Sequence, residues 1–425
     1  MKKVIVSTLT TCALLSSTIS VNAQVINEKA AQATQHPAKL ENSLVTFPKT
    51  TGKHQVGSTT FDWTDFSRKD FLDHNNNREL MVQAWYPIDS NDRKGKEMEP
   101  YIPATINAIN QMATTNKFGE LFVGVNNVNT QVYKEGVLSS KEDKYPIVLF
   151  SHGFGLGNWN YQWLTRELAS QGFIVFSIDH THFSAGTEFN DGRFIPINPQ
   201  YINEIPNLTE YDNRINNIWV KDLQFVIHQL DTLNKTDKNF RHRLDLDKIA
   251  AIGHSMGGAT AARALQVEPK IKSAINMDGA FFGLTGPGSM TKPFAFIATE
   301  NTEMWFNGRV EQPLPSGLDS QTVQEIRDMF KVTNDRYKQA VSGPAYDITI
   351  AGGAVHGSFT DLPLLRPYLT GTPYDDDSTL PPNPEHVYEL SNHVILSFLE
   401  KTLNGKKNTI LDRENVNIPD LTIVQ

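Results

Sequence analysis

Two kinds of pattern alternate along this chain: short runs that are apolar at nearly every position, and longer stretches whose apolar residues recur every three to four places. From Glu79 the runs begin with "ELMVQAWYP" and "YPIVLFSHG", and continuous runs of this kind suit strands buried on both faces. A helix is expected from Tyr161 to Gln171, then "GFIVFSIDH", then a loop of about thirty residues rich in Asn, Pro and Gly, long enough to suggest a functional role. Between Asn213 and Lys235, the residues Ile215, Ile218, Leu223, Val226, Leu230 and Leu233 fall close to one stripe, which predicts a helix lying on a sheet. There follow "KIAAIGHS", a helix over Gly257 to Leu265, "IKSAINMDG", "PFAFIATE", a helix near Ser320 to Lys331, "YDITIAGGAVHG" and a final helix "VYELSNHVILSFLEKTL". Strands separated by helices in this order predict an α/β fold: a mostly parallel central sheet with helices on both faces and loop insertions, in one catalytic domain over 46–425.

Two segments stand outside the alternation. Pro100 to Tyr133, with its Asn and Thr, is one, and Arg366 to Glu385 reads as a surface loop from its prolines, with its three consecutive aspartates in a solvated turn rather than a calcium site.

Composition narrows the class. The chain has 425 residues, 39% hydrophobic and 20% charged, enough to bury a large core. Its net charge of -8, with no long lysine or arginine run, argues against nucleic acid as a partner. The start, "MKKVIVSTLTTCALLSSTISVNAQ", joins two lysines to a moderately apolar stretch and Val21-Asn22-Ala23, so a signal peptide over 1–23 is expected, with cleavage near Ala23 and a secreted or periplasmic product. Residues 24–45, polar and alanine-rich, read as a flexible lead-in. Cys12 is the only cysteine, so the processed chain would have no disulfide, thiolate nucleophile or cysteine metal site.

The candidate chemistry centres on "GHSMGG". A Gly-x-Ser-x-Gly pentapeptide between a strand and a helix is where a hydrolase nucleophile stands on a strained turn, and Gly253, Gly257, Gly258 and Ala259 give Ser255 small neighbours. A serine needs a base to take its proton. His356 follows the late strand "YDITIAGGAV" in the required Ser, acid, His order, whereas His386 and His393 flank the last helix. The acid is either Asp278, at the end of "IKSAINMD", or Glu300, at the end of "PFAFIATE"; position leaves both open. An oxyanion would be held by the backbone N–H of Met256 and one from "FSHGFGLG", where Phe154 follows a His-Gly pair read as loop geometry. Asp179, His180 and His182 read as a hydrogen-bonded loop rather than a metal cluster.

With "VQAWYP" upstream, the segments "PIVLFSHGFG", "LASQGFIVFSIDH", "LDLDKIAAIGHSMGGAT" and "GAVHGSFTD" resemble, in order, the plasma-type platelet-activating-factor acetylhydrolase family of α/β-hydrolases, in a bacterial form. The resemblance spans about residues 80 to 400. It implies Ser255 as nucleophile, His356 as base, Asp278 rather than Glu300 as acid, Phe154 and Met256 as oxyanion donors, and hydrolysis without metal or cofactor. "SIDHTHF" departs from the Glu-His-Arg-Asp-like pattern of relatives, and Gly279 from their aromatic-rich continuation. The elbow is also shared with polyester and dienelactone-type hydrolases.

The expectation is a secreted serine carboxylic-ester hydrolase acting on a short-acyl phospholipid or a related small-molecule, lipid or polymer ester. Its rival is a noncatalytic exported binding protein with a hydrolase fold. Phe281, Phe282, Leu284, Met304, Trp305 and Phe306 follow strand ends where an acyl pocket belongs, or fill core. Ile106, Ile109, Met112 and Phe118 have a spacing that meets either the core or a lipid surface.

Overall fold

β-branched and aromatic runs supply the strands, and glycines and polar clusters end them. The protein's computed structural model describes residues 45–115, 125, 128–203, 206–285, 290–309, 314, 317–366, 381, 383–413 and 417–425. Its strands are β1 (Gln55–Lys69), β2 (Asn77–Ile88), β3 (Val132–Lys134), β4 (Tyr145–Ser151), β5 (Ile174–Asp179), β6 (Gly186–Glu188), β7 (Phe194–Pro196), β8 (Leu244–His254), β9 (Ile271–Met277), β10 (Phe294–Thr299), β11 (Ala345–Ile350) and β12 (Leu421–Val424). Ten of them form one sheet in the order β12-β11-β10-β9-β8-β4-β5-β2-β1-β3, and β6 and β7 pair separately. From β5 to β11 every neighbouring pair is parallel. Antiparallel β2 and β1 extend one edge and antiparallel β12 the other.

Both faces of the parallel strands are covered. Ile147, Leu149, Ile249 and Ala251 join a core with the helices Val220–Thr236, Met256–Val267 and Ser320–Val341. Val148, Phe150, Ala250 and Ile252, which alternate with them, join a second core with the helices Gln162–Ser170 and Pro384–Asn404. Two-sided burial is why these strands read as unbroken apolar runs, each fully buried Val, Leu or Ile contributing ~1.5–3 kcal/mol. This is the expected α/β arrangement.

Chain order reverses at β4, which has β5 on one side and β8 on the other. In open parallel sheets such a reversal leaves a crevice at the carboxyl ends of the strands. The β4–β8 ladder runs to Ser151 opposite Gly253, so the loops that follow leave side by side.

Some elements differ from expectation. β1, β3 and β12 had no counterpart in the pattern; β1 mixes Thr, Ser and Asp with half-buried aromatics, which blurs its alternation. The helix expected near Ser320 to Lys331 continues to Val341, because Thr333, Tyr337 and Ala340 extend its buried stripe. The helix through Asn213 is widened by a five-residue π turn, Ile215–Trp219, that carries Trp219 into the core. Pro100 to Tyr133 holds the helix Ile106–Thr115, on which Ile109 is buried. Phe118, the side chains of Ile106 and Met112, the three aspartates Asp375 to Asp377, and residues 1–44 of the expected leader and lead-in lie outside the described residues.

Candidate active site

The elbow is built from backbone packed on backbone. Ser255, between β8 and the helix Met256–Val267, has φ 56° and ψ -120°, a conformation that costs a residue with a side chain of order 1–3 kcal/mol. Glycine makes the turn fit: a Cβ on Gly253 would lie 2.1 Å from the Gly257 carbonyl oxygen, and one on Gly257 would lie 2.0 Å from that of Ser151. The Ser255 N–H donates to the Met277 carbonyl at 2.9 Å, tying the elbow to β9. Ser255 thus caps a helix whose N-terminal dipole favours negative charge.

Asp278 also has a positive φ, 54°, and its N–H donates to the Ile297 carbonyl at 2.7 Å. That turn swings the fully buried carboxylate under the loop that follows β11. Its Oδ1 accepts the Thr299 N–H at 2.9 Å, and its Oδ2 lies 2.7 Å from His356 Nδ1. A carboxylate oxygen accepts, so Nδ1 donates to it and Nε2 is the nitrogen left to face another group. Nε2 is buried and makes no hydrogen bond, to Ser255 or to any other described group.

The structure therefore joins Asp278 to His356 and leaves Glu300 exposed at the start of the helix Glu300–Phe306. Ser255 comes alongside through its neighbour His254, whose ring is 4.4 Å from that of His356 and whose Nε2 lies 3.1 Å from the His356 carbonyl oxygen. Phe154 and Met256, each 7% exposed, flank Ser255 on the β4 loop and at the start of the helix. A Cβ on Gly153 would be 3.4 Å from that of Ser255, so the β4 loop touches the elbow. His386 instead meets Asp420 at 3.1 Å, and His393 is exposed.

Other residues go elsewhere. His180 meets Asp222, His182 meets Asp70, and the Asp179 carboxylate accepts the Asn158 N–H at 2.8 Å, so the three diverge. Burial pushes the Asp179 carboxyl up to about 7. Phe281 is core, ringed by Phe294, Phe296, Phe306 and Tyr337, and Phe282, Leu284 and Trp305 are buried too; Met304 is half-buried. A cavity of about 460 Å³ lies away from the chemistry, lined by Glu99, Asn158, Trp159, Asp179, Glu188 and Phe189 among others, but by none of Ser255, Asp278 and His356. Sequence reasoning missed Tyr161 and His254. Tyr161 Oη accepts the Gly153 N–H at 2.7 Å and lies 3.0 Å from His254 Nδ1. The histidine of "GHSMGG" was in plain view, but nothing local named its partners.

Comparison with known proteins follows the same outline. The family model "Platelet-activating factor acetylhydrolase, isoform II" matches residues 40–202 and 228–418. A platelet-activating factor acetylhydrolase of Cavia porcellus is 24% identical over 89% of this chain and 84% of its own, and that of Canis lupus familiaris is 26% identical over 89% and 81%. A solved ferulic acid esterase from Streptomyces cinnamoneus superposes with a TM-score of 0.68 at 22% identity, over 90% of this chain and all of the other, which shows the α/β-hydrolase fold.

Proposed function

Because the chain belongs to the platelet-activating factor acetylhydrolase, isoform II, family, we propose that it is an exported serine esterase that opens short-acyl phospholipid esters through Ser255, His356 and Asp278. At the coarser level its relatives are carboxylic ester hydrolases, and so is this chain. The observation that carries the finer reading is the Asp278–His356 contact of 2.7 Å, which leaves a buried, unpartnered Nε2 beside the Ser255 elbow.

In this reading His356 Nε2 takes the Ser255 proton as Oγ attacks the ester carbonyl carbon. The C=O electron pair moves onto the oxygen, held by the N–H groups of Phe154 and Met256. Asp278 stabilises the imidazolium, which then protonates the departing alkoxide. Water, deprotonated by the same imidazole, releases the acid and regenerates Ser255. In apo enzymes such hydrogen bonds are often open and tighten with substrate, in keeping with the unpartnered Nε2.

Export is supported by the lysines, apolar stretch and Val21-Asn22-Ala23 of the first 23 residues. N-terminal sequencing of the secreted protein should read from Gln24; an intact Met1 refutes it. Substrate class is supported by what the relatives are called, and a panel of a short-acyl phospholipid, a polyester oligomer and an aryl ester tests it. The phospholipid should be turned over fastest, and preference for either other ester overturns this part. Ser255→Ala should abolish turnover and labelling by a fluorophosphonate; persistence of either removes the serine from its role.

A further inference from the structure

The His-Gly pair ahead of Phe154 holds more than loop geometry. His152 is fully buried, and burial together with His180 pushes its imidazole down to about 3, so it is neutral. Its two nitrogens have fixed roles. Nε2 lies 3.1 Å from the His180 backbone N–H, which can only donate, so Nε2 accepts. Nδ1 lies 2.7 Å from the Gly153 carbonyl, which can only accept, so Nδ1 carries the proton and donates. The remaining neighbour of Nε2, Asp179 Oδ1, is 3.8 Å away, beyond hydrogen-bond length.

The Gly153 carbonyl belongs to the same planar peptide as the Phe154 N–H, and in a trans peptide the two point in opposite directions. Whatever grips that oxygen therefore aims that N–H. The preceding peptide is gripped as well, since the Gly153 N–H donates to Tyr161 Oη at 2.7 Å. The hydroxyl proton of Tyr161 is left for His254 Nδ1 at 3.0 Å, because His254 Nε2–H is committed to the His356 carbonyl at 3.1 Å. Gly153 is thus pinned at its N–H by Tyr161, which His254 of the elbow holds in turn, and at its carbonyl by His152 at 2.7 Å together with the Leu156 N–H at the longer 3.1 Å.

We propose that His152 is a positioning residue of the oxyanion hole: its Nδ1–H locks the Gly153 carbonyl and so directs the Phe154 N–H at the developing oxyanion. The inference rests on the serine-esterase reading and deepens it.

Two substitutions separate this role from simple satisfaction of a buried group. The amide NH₂ of His152→Asn stands where Nδ1 was and still donates to Gly153, whereas the longer His152→Gln keeps an acceptor for the His180 N–H and loses the donor. His152→Asn should hold kcat for a nitrophenyl acetate within about threefold of the parent. His152→Gln should lower kcat by at least about tenfold with KM within about twofold, and should weaken a trifluoromethyl ketone that forms a hemiketal at Ser255 by the same factor. Equal behaviour of the two variants, or a more active glutamine variant, overturns the proposal. If either fails to fold, as read by thermal unfolding, Tyr161→Phe decides: lower kcat at constant KM supports the pinning of Gly153, and unchanged kcat overturns it. Fluorophosphonate labelling of the parent at Ser255 distinguishes the outcomes, since a labelled parent with misbehaving variants sinks only this inference, and an unlabelled parent sinks the esterase reading first.

Discussion

Among the described residues two Asp–His–Ser sets can be compared, and they differ in whether the imidazole has a free nitrogen. In the first, Asp278 meets His356 Nδ1 at 2.7 Å and Nε2 is unpartnered beside Ser255. In the second, Asp222 Oδ2 lies 3.1 Å from His180 Nδ1, and His180 Nε2 lies 3.1 Å from Ser151 Oγ, which donates to it. By connectivity the second is the more complete series, but its surroundings are different. Ser151 and His180 are fully buried, and the His180 ring stacks on Trp219 at 3.9 Å. Arg78 and Arg68 both bond Asp222, at 2.7 and 2.9 Å, so its charge is already answered before an imidazolium could call on it. Burial and these two arginines hold His180 below its usual range. No lysine or arginine reaches ion-pair distance of Asp278 among the described residues. The two sets therefore differ less in connectivity than in what surrounds the carboxylate: Asp222 answers two arginines, whereas Asp278 answers His356 and the Thr299 N–H.

The sharpest way to break the comparison is to neutralise each carboxylate. Asp278→Asn should lower kcat by about 10⁴ while leaving the unfolding midpoint nearly unchanged, because the imidazole loses its correct tautomer. Retained activity would mean that His356 is oriented by another group. Asp222→Asn should do the opposite, lowering stability by about 3–5 kcal/mol in chemical denaturation by leaving buried arginine charge uncompensated, with kcat per folded molecule changed less than about tenfold. Its acid response sharpens the point. The arginines hold Asp222 well below the usual carboxylate range, so its contribution is complete above the unfolded value of about 4 and fades as pH falls below it. The parent should lose stability below about pH 4 more steeply than Asp222→Asn. Equal slopes would remove Asp222 from the acid transition. The smallest expected effect is that of Ser151→Ala, which costs ~1–3 kcal/mol by leaving His180 Nε2 unpaired, with fluorophosphonate labelling at Ser255 intact. Loss of labelling would make the second set part of the chemistry.

How much of this was legible depended on whether the signal was local. Strands buried on both faces announce themselves as apolar runs, and an elbow must spend its glycines within a few residues, so β4, β5, β8 to β11 and Ser255 could be read from sequence alone. Asp278 and Glu300 stand at equivalent strand ends, which position alone could not tell apart; in the fold the positive φ of Asp278 and its reach across to the β11 loop separate them. The Arg78–Asp222 contact spans 144 residues and has no periodicity to betray it. Phe281 and its neighbours were ambiguous for a related reason: apolar residues after a strand look alike whether they line a pocket or fill a core.

The loops that meet at Ser255 come from distant parts of the chain: His254 reaches His356 across 102 residues, and His356 reaches Asp278 across 78. Contacts of such long sequence separation carry a loop-closure cost and form slowly. During refolding, helix content should recover before esterase activity does. Turnover then reports that the loop after β11 has docked on the elbow, which makes it a stricter gauge of completed folding than any spectroscopic measure of secondary structure.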